Sequence, residues 1–297
     1  MKIYENIEDE RDRIQNCINK FGWTSDHNLD WFVDGTVEDG KPAFVEFEDG
    51  AGLLVHQYSD SYEIWSDPVA KKSFSADKIS EFAKNILDEK IKKIACNDVS
   101  DNIRPELARD GGVLVGETNY SLEWPVLNME KYDPALTGGY FKDIRNAKSK
   151  FYKEHELKAV NKSEFDKKIL HKIVDDWENI VGSKDDYNTL KYHNAINNDF
   201  RGFLATRVLV VDGNPVGINA GYEVPNNSER FAGIIGVHDY SQKDLGLILW
   251  LEDFDWVKKA GYKEMDIQGD EGGGLKFKMQ FNPVIEWKTD TFSIMKK

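Results

Sequence analysis

Residues 230–283 read RFAGIIGVHDYSQKDLGLILWLEDFDWVKKAGYKEMDIQGDEGGGLKFKMQFNP, and the rest of the chain is best read outward from them. Residues 231–237 are short, apolar and bounded by turn formers, which predicts a buried strand. Leu245, Ile248, Leu249, Leu251, Phe254 and Val257 recur at helical spacing, and Gly261 follows as a C-cap. Met265 and Ile267 supply a further short strand, a glycine-rich loop follows, and Lys276 and Lys278 open a last helix. The loop from His238 to Gly246 therefore joins a strand end to a helix N-terminus. Unpaired backbone N–H groups and the helix dipole gather at such a junction and favour an anion there.

This order of elements resembles the acyl-CoA-binding half of the GNAT acyltransferase superfamily. In that superfamily the equivalent loop carries Gln/Arg-x-x-Gly-x-Gly/Ala. Here it reads Lys243-Asp244-Leu245-Gly246-Leu247-Ile248, with a basic residue and one glycine, and Ile248 in place of the second small residue. The run from Asp266-Ile267-Gln268-Gly269 through Gly274-Leu275-Lys276 to Lys278 and Phe281-Asn282-Pro283 is similar to a narrower group. That group is the C-terminal domain of phosphatidylglycerol lysyltransferases and its FemAB-like relatives, many of which use aminoacyl-tRNA. Gly138 and Gly139 followed by Lys142, Arg145 and Asn146 match the helix that opens the C-terminal half in the same group.

The resemblance implies an α+β chain of two tandem GNAT-like domains, each a mixed, mainly antiparallel sheet flanked by helices. Residues 1–130 would be a degenerate copy and residues 131–297 the ligand-binding one. The implied activity is transfer of an acyl group from acyl-CoA or aminoacyl-tRNA to a small-molecule or peptide amine, by direct attack. His238 would act as base and Lys278 would stabilise developing negative charge. Tyr240, Gln242, Lys243, Gly246 and Lys276 would hold the donor, with Arg145 and Lys148 from the basic helix. The other reading is a GNAT-like binding module for a small ligand or protein, without catalysis. Single residues also have plainer readings: a strand-end histidine bonded to its loop, and lysines on solvated helix faces.

Composition narrows the field. At 297 residues the chain suffices for one large or two ordinary domains. Hydrophobic residues at 40% and eight tryptophans allow a sizeable core and exclude global disorder. Cys17 and Cys96 lie far apart, against a disulfide scaffold or thiolate zinc site and in keeping with a cytoplasmic protein. The N-terminus is charged and no apolar run approaches about 18 residues, so neither signal peptide nor transmembrane span is expected, and membrane lipid is not the favoured acceptor. A net charge of −14 weighs against extensive nucleic-acid contact while leaving room for a local basic face.

Taken in order, an amphipathic helix is expected at 5–20, then strands at 43–48, 53–58 and 62–65. A helix capped by Ser75 follows, then a strand at 91–96, a short helix after Asn102, and strands at 113–116 and 120–126. No phosphate-binding loop is visible in this half. Helices at 140–156 and 165–181 come next. Residues 183–201 are polar and weakly periodic and read as a loop with one helix; the resemblance implies that this segment shapes the acceptor pocket. Strands at 203–211 and 216–224 flank the Asp212-Gly213-Asn214 turn, and strands at 284–288 and 292–295 close the sheet.

The six histidines lack His-x-x-x-His spacing, so no metal site is expected. GDEGGGLK, residues 269–276, fails the Walker pattern because Leu275 separates Gly274 from Lys276 and no hydroxyl follows. Gly-x-Ser-x-Gly, a Cys–His pair and Gly-x-Gly-x-x-Gly are absent, which leaves hydrolase and dehydrogenase chemistry without support.

Overall fold

The computed structural model describes residues 1–37, 39–181 and 189–297. The first half comprises β1 (Lys2–Tyr4), α1 (Arg11–Phe21), α2 (Leu29–Asp34), β2 (Lys41–Glu46), β3 (Gly52–Gln57), β4 (Ser61–Ile64), α3 (Ser75–Ile86), β5 (Lys93–Ser100), α4 (Ile103–Asp110), β6 (Leu114–Val115) and β7 (Tyr120–Asn128). The second comprises α5 (Lys142–Glu154), β8 (Leu157–Asn161), α6 (Lys167–Val181), α7 (Leu190–Asn197), β9 (Ala205–Val211), β10 (Asn214–Val224), β11 (Asn227–His238), α8 (Leu245–Ala260), β12 (Glu264–Asp266), α9 (Gly272–Met279) and β13 (Val284–Met295).

All thirteen strands among the described residues belong to one mixed sheet, in the order β1-β2-β3-β4-β5-β13-β7-β12-β11-β10-β9-β8, with β6 pairing β13. The last strand therefore lies inside the first half, antiparallel to both β5 and β7. Strand β7 in turn pairs β12, which joins the two halves. The expected pair of closing strands is one strand with a register shift between Asp290 and Phe292.

Local chemistry explains the elements. The β9–β10 turn needs two left-handed residues and has them in Asp212, φ 51°, and Gly213, φ 81°. Helix α8 buries Ile248, Leu249, Leu251, Phe254 and Val257 and ends at Gly261, φ 92°, whose N–H reaches the Lys258 and Val257 carbonyls. Each such large apolar side chain contributes about 1.5–3 kcal/mol on burial. On one face of the second half, α5 and α8 pack Ile144, Phe151 and Phe254 with Leu209, Val211 and Phe231. On the other, α6 and α7 pack Leu170, Val174, Trp177 and Ile196 against Ile218, Ala220 and Tyr222. Across the first face, buried Asp253 of α8 is paired with Arg207 of β9, and Asn219 Nδ2 donates to the Leu249 carbonyl at 3.0 Å.

Several expectations shift. The first helix begins at Arg11, and β1, α2 and β8 were not anticipated, being only 3, 6 and 5 residues long. Phe74, not Ser75, holds the position before α3, and Ser75 is its first residue. Of the segment 183–201, residues 183–188 lie outside the described residues, and α7 accounts for 190–197. Among the described residues no helix is long and apolar enough to cross a membrane.

Candidate functional site

Strand β11 pairs in parallel with β12 only at Arg230–Glu264, Phe231–Met265 and Ala232–Asp266. It then runs on to His238 with only β10 beside it among the described residues. β12 meanwhile stays with β7, and the Ile267 N–H continues to the Pro125 carbonyl at 3.3 Å. The sheet thus opens into a wedge between β11 and β12.

The loop after His238 closes one side of this wedge. The Asp239 N–H ties it to the Val216 carbonyl at 2.8 Å, and Asp239 Oδ1 accepts the Ser241 N–H at 2.8 Å. Asp244 precedes α8 in the left-handed conformation, φ 63°, and gives no side-chain cap. The Gly246 and Leu247 N–H groups have no hydrogen-bond partner among the described residues, as expected for a first helical turn. His238 stacks on exposed Tyr240, with ring centres 4.3 Å apart, and leans on Gly246. Burial pulls the His238 pKa down to about 4, against the opposing pull of Asp239 and the Gly236 carbonyl, so the ring is neutral near pH 7. His238 Nδ1 and Gln242 Oε1 are both buried without a hydrogen-bond partner.

A second group of residues gathers where β12 ends. Asp266 is fully buried; its carboxylate accepts the Ser25 hydroxyl at 2.9 Å and the Gln268 N–H at 2.8 Å. Gln268 Nε2 donates to Ser25 Oγ at 3.1 Å, and the Tyr222 hydroxyl to the Ser25 carbonyl at 2.9 Å. Beside them lie Asp26, Asp98 and Lys191, each half-buried and close enough to act electrostatically on one another. Burial, then Asp98 and Asp266, drive the Asp26 carboxyl well above the usual range, with Lys191 opposing. Burial pushes Asp98 up to about 6, again against Lys191. Asp98 has φ 46°, and its N–H is held by Thr291 Oγ1 at 3.1 Å. Burial lowers the Lys191 pKa, while Asp26 and Asp98 raise it. Its ammonium sits 5.3 Å from the ring centres of Trp31 and Tyr192, with no ion pair or hydrogen bond among the described residues.

The sequence-predicted residues fall into three places. His238, Tyr240, Gln242, Lys243 and Gly246 share the β11–α8 junction. Lys278, nearly buried, turns its ammonium back onto the Gln268 carbonyl at 3.0 Å and the Asp270 carboxylate at 3.0 Å, and so braces the glycine-rich loop; Lys276 points outward, exposed. Arg145 and Lys148 lie on α5, where Arg145 donates to the Leu136 and Gly138 carbonyls and Lys148 to that of Pro134. The group of Asp26, Asp98 and Lys191 was not anticipated, because its members come from three distant segments and share no spacing.

The architecture is a tandem GNAT-like fold. No family model matches the sequence, and no curated protein matches it. Solved structures do. The C-terminal domain of a putative lysylphosphatidylglycerol synthetase from Agrobacterium fabrum superposes with a TM-score of 0.68 at 14% identity, over 97% of this chain and 92% of that one. L-PGS from Bacillus licheniformis gives 0.64 at 14% identity, over 96% and 91%. A tandem GNAT protein from the clavulanic acid biosynthesis pathway gives 0.56 at 10% identity, over 98% of each chain.

Proposed function

We propose that this protein transfers an acyl or aminoacyl group from a phosphate-bearing donor, acyl-CoA or aminoacyl-tRNA, to an amine. The observation that carries the reading is the wedge between β11 and β12, bounded by the N-terminus of α8 on one side and the Asp266 cluster on the other. The donor's phosphates would lie at the Gly246 and Leu247 N–H groups, and its activated carbonyl in the wedge. The acceptor amine would approach beside Asp98, whose carboxylate attracts its ammonium.

In this reading the amine gives up a proton and its nitrogen attacks the carbonyl carbon. The tetrahedral adduct collapses, the bond to the thiol or ribose oxygen breaks, and the leaving group takes up a proton as the amide forms. Positioning supplies much of the rate, and no covalent enzyme intermediate is required. Asp98, with a pKa of about 6, is better matched to taking the proton near neutral pH than His238 at about 4. His238 instead shapes the donor loop by stacking on Tyr240.

The deciding experiment is thermal stability with saturating acyl-CoAs and aminoacyl-tRNAs. A ligand at 100 times its dissociation constant adds about 2.7 kcal/mol if it binds only the folded state. Stabilisation by either donor, lost in Gly246→Ala, supports the reading and selects the donor. Failure of both to bind would shift weight to the binding module.

A further inference from the structure

A cavity of about 250 Å³ opens in the first half, lined by Trp23, Lys72, Ser73, Ser75, Ser100 and Asn102 among others. None of these residues belongs to the site described above. They come from three places: the loop after α1, the turn that leads into α3, and the junction of β5 with α4.

The groups around this cavity are short of acceptors. One helix N-terminus reaches it, that of α4 after Asn102; α3 instead continues from a 3-10 turn at Lys72–Phe74, and the Ser75 N–H is held by the Lys72 carbonyl. Neither helix has a side-chain cap; Asn102 Nδ2 donates instead to Glu106 at 3.0 Å. The first-turn N–H groups of α4 and its positive dipole end are thus left toward this space. The second observation is independent of the helices. Ser75 is only 3% exposed, and its hydroxyl has no partner. A buried polar group in that state is unusual unless a ligand or water completes it. The indole N–H of Trp23, which can only donate, is likewise buried and unpaired. The Lys72 ammonium lies 3.8 Å above the Trp23 ring, with neither ion pair nor hydrogen bond among the described residues. Among the described residues no carboxylate lines the cavity. Asp67 stands behind Ser100 and is occupied by that residue's hydroxyl at 2.7 Å and N–H at 3.1 Å.

An ammonium, an indole N–H, an unpaired hydroxyl and one helix N-terminus together suit a compact, acceptor-rich anion. We infer that this cavity binds the phosphoryl group of a small phosphate monoester, with Lys72, Ser75 and Trp23 as its side-chain contacts. The volume exceeds that of the phosphoryl group alone and leaves room for a short organic part. The inference does not rest on the transferase reading, because it concerns other residues and needs no reaction.

The test is calorimetric titration of the full chain with inorganic phosphate and with glycerol phosphate, at constant ionic strength with chloride as the reference anion. The wild type should bind saturably, and glycerol phosphate more tightly than inorganic phosphate. Lys72→Ala and Ser75→Ala should each weaken binding by about tenfold or more, the loss expected for a charge-assisted contact. Ser75→Ala should melt no lower than the wild type in plain buffer, since it deletes an unpaired hydroxyl, so lost binding there is not lost folding. Absence of saturable binding, or affinities unchanged in both variants, would overturn the inference. Tighter binding of inorganic phosphate than of the ester would overturn its small-molecule part. A response abolished by Gly246→Ala but kept in Lys72→Ala would move the anion to the other half and overturn it as well.

Discussion

A β-carbon placed on Gly246 would lie 2.6 Å from Nε2 of His238, so the end of β11 and the first turn of α8 touch through a hydrogen-sided glycine. Gly246→Ala must push the imidazole away and disturb its stack on Tyr240. The expected result is a donor affinity reduced by about tenfold or more, since misplaced binding groups are costly. Donor-dependent thermal shifts compared between wild type and variant check it. An unchanged shift removes the loop from the donor site.

Asp98 carries a prediction about pH. Its folded pKa is raised to about 6 from an ordinary 3.8. Between these values the folded state binds more protons than the unfolded state, so this group makes stability fall as pH rises. The cost is absent below pH 3.8 and complete above about 6. Asp98→Asn should therefore raise the melting temperature at pH 7 and leave it nearly unchanged at pH 3.5, while slowing transfer at pH 7. Melting curves across that range, paired with initial rates, test both halves. A variant destabilised equally at both pH values would show that the carboxylate is not strained by burial.

Ser25 ties the loop before α2 to the floor of the wedge by donating to Asp266. Ser25→Ala leaves one oxygen of a fully buried carboxylate without its partner, at a cost of about 1–3 kcal/mol. Chemical denaturation should show this loss at pH 7, and a smaller one at acidic pH once Asp266 is protonated. Equal losses at the two pH values would contradict the account.

Arg207 and Asp253 form the corresponding brace across β9 and α8. Burial holds Asp253 near a pKa of about 6 even beside the guanidinium. Arg207→Met strands that carboxylate and should destabilise by about 3–5 kcal/mol at pH 8, the range for breaking a buried pair. The loss should shrink at pH 5, where the isolated carboxyl is protonated. Denaturant midpoints at the two pH values give the comparison.

Much of the second half was legible from residues 230–283 because its signals are local. The apolar spacing of α8, Gly261 as its C-cap and the Asp212-Gly213 turn each act within a few residues, and each appears as read. What stayed hidden is what distance assembles. Nothing around Val284–Met295 announces that this strand inserts between β5 and β7. Asp26, Asp98 and Lys191 have no spacing in common, and only the meeting of α7 with the first half makes them neighbours. Ser75 looked like a helix cap because serine so often is one; here the hydroxyl is idle, and only the packing around Trp23 and Lys72 shows it. Lys276 and Lys278 looked alike in the sequence, yet one half-turn of helix sends the first to solvent and the second under the glycine-rich loop.

The position of β13 also governs the order in which the molecule can be made. A ribosome releases β1 to β7 long before Val284–Met295, so the first half leaves the exit tunnel with a strand-wide gap between β5 and β7. Those two strands expose unpaired edges throughout the synthesis of the second half, and edges in that state invite pairing with other chains. Phe292 and Ile294, fully buried beside Ile94 and Cys96, seal the gap only once Val284–Met295 has emerged. Nascent chains stalled before residue 284 should therefore be the protease-sensitive, chaperone-dependent species, and the arrival of β13 the step that makes the fold cooperative.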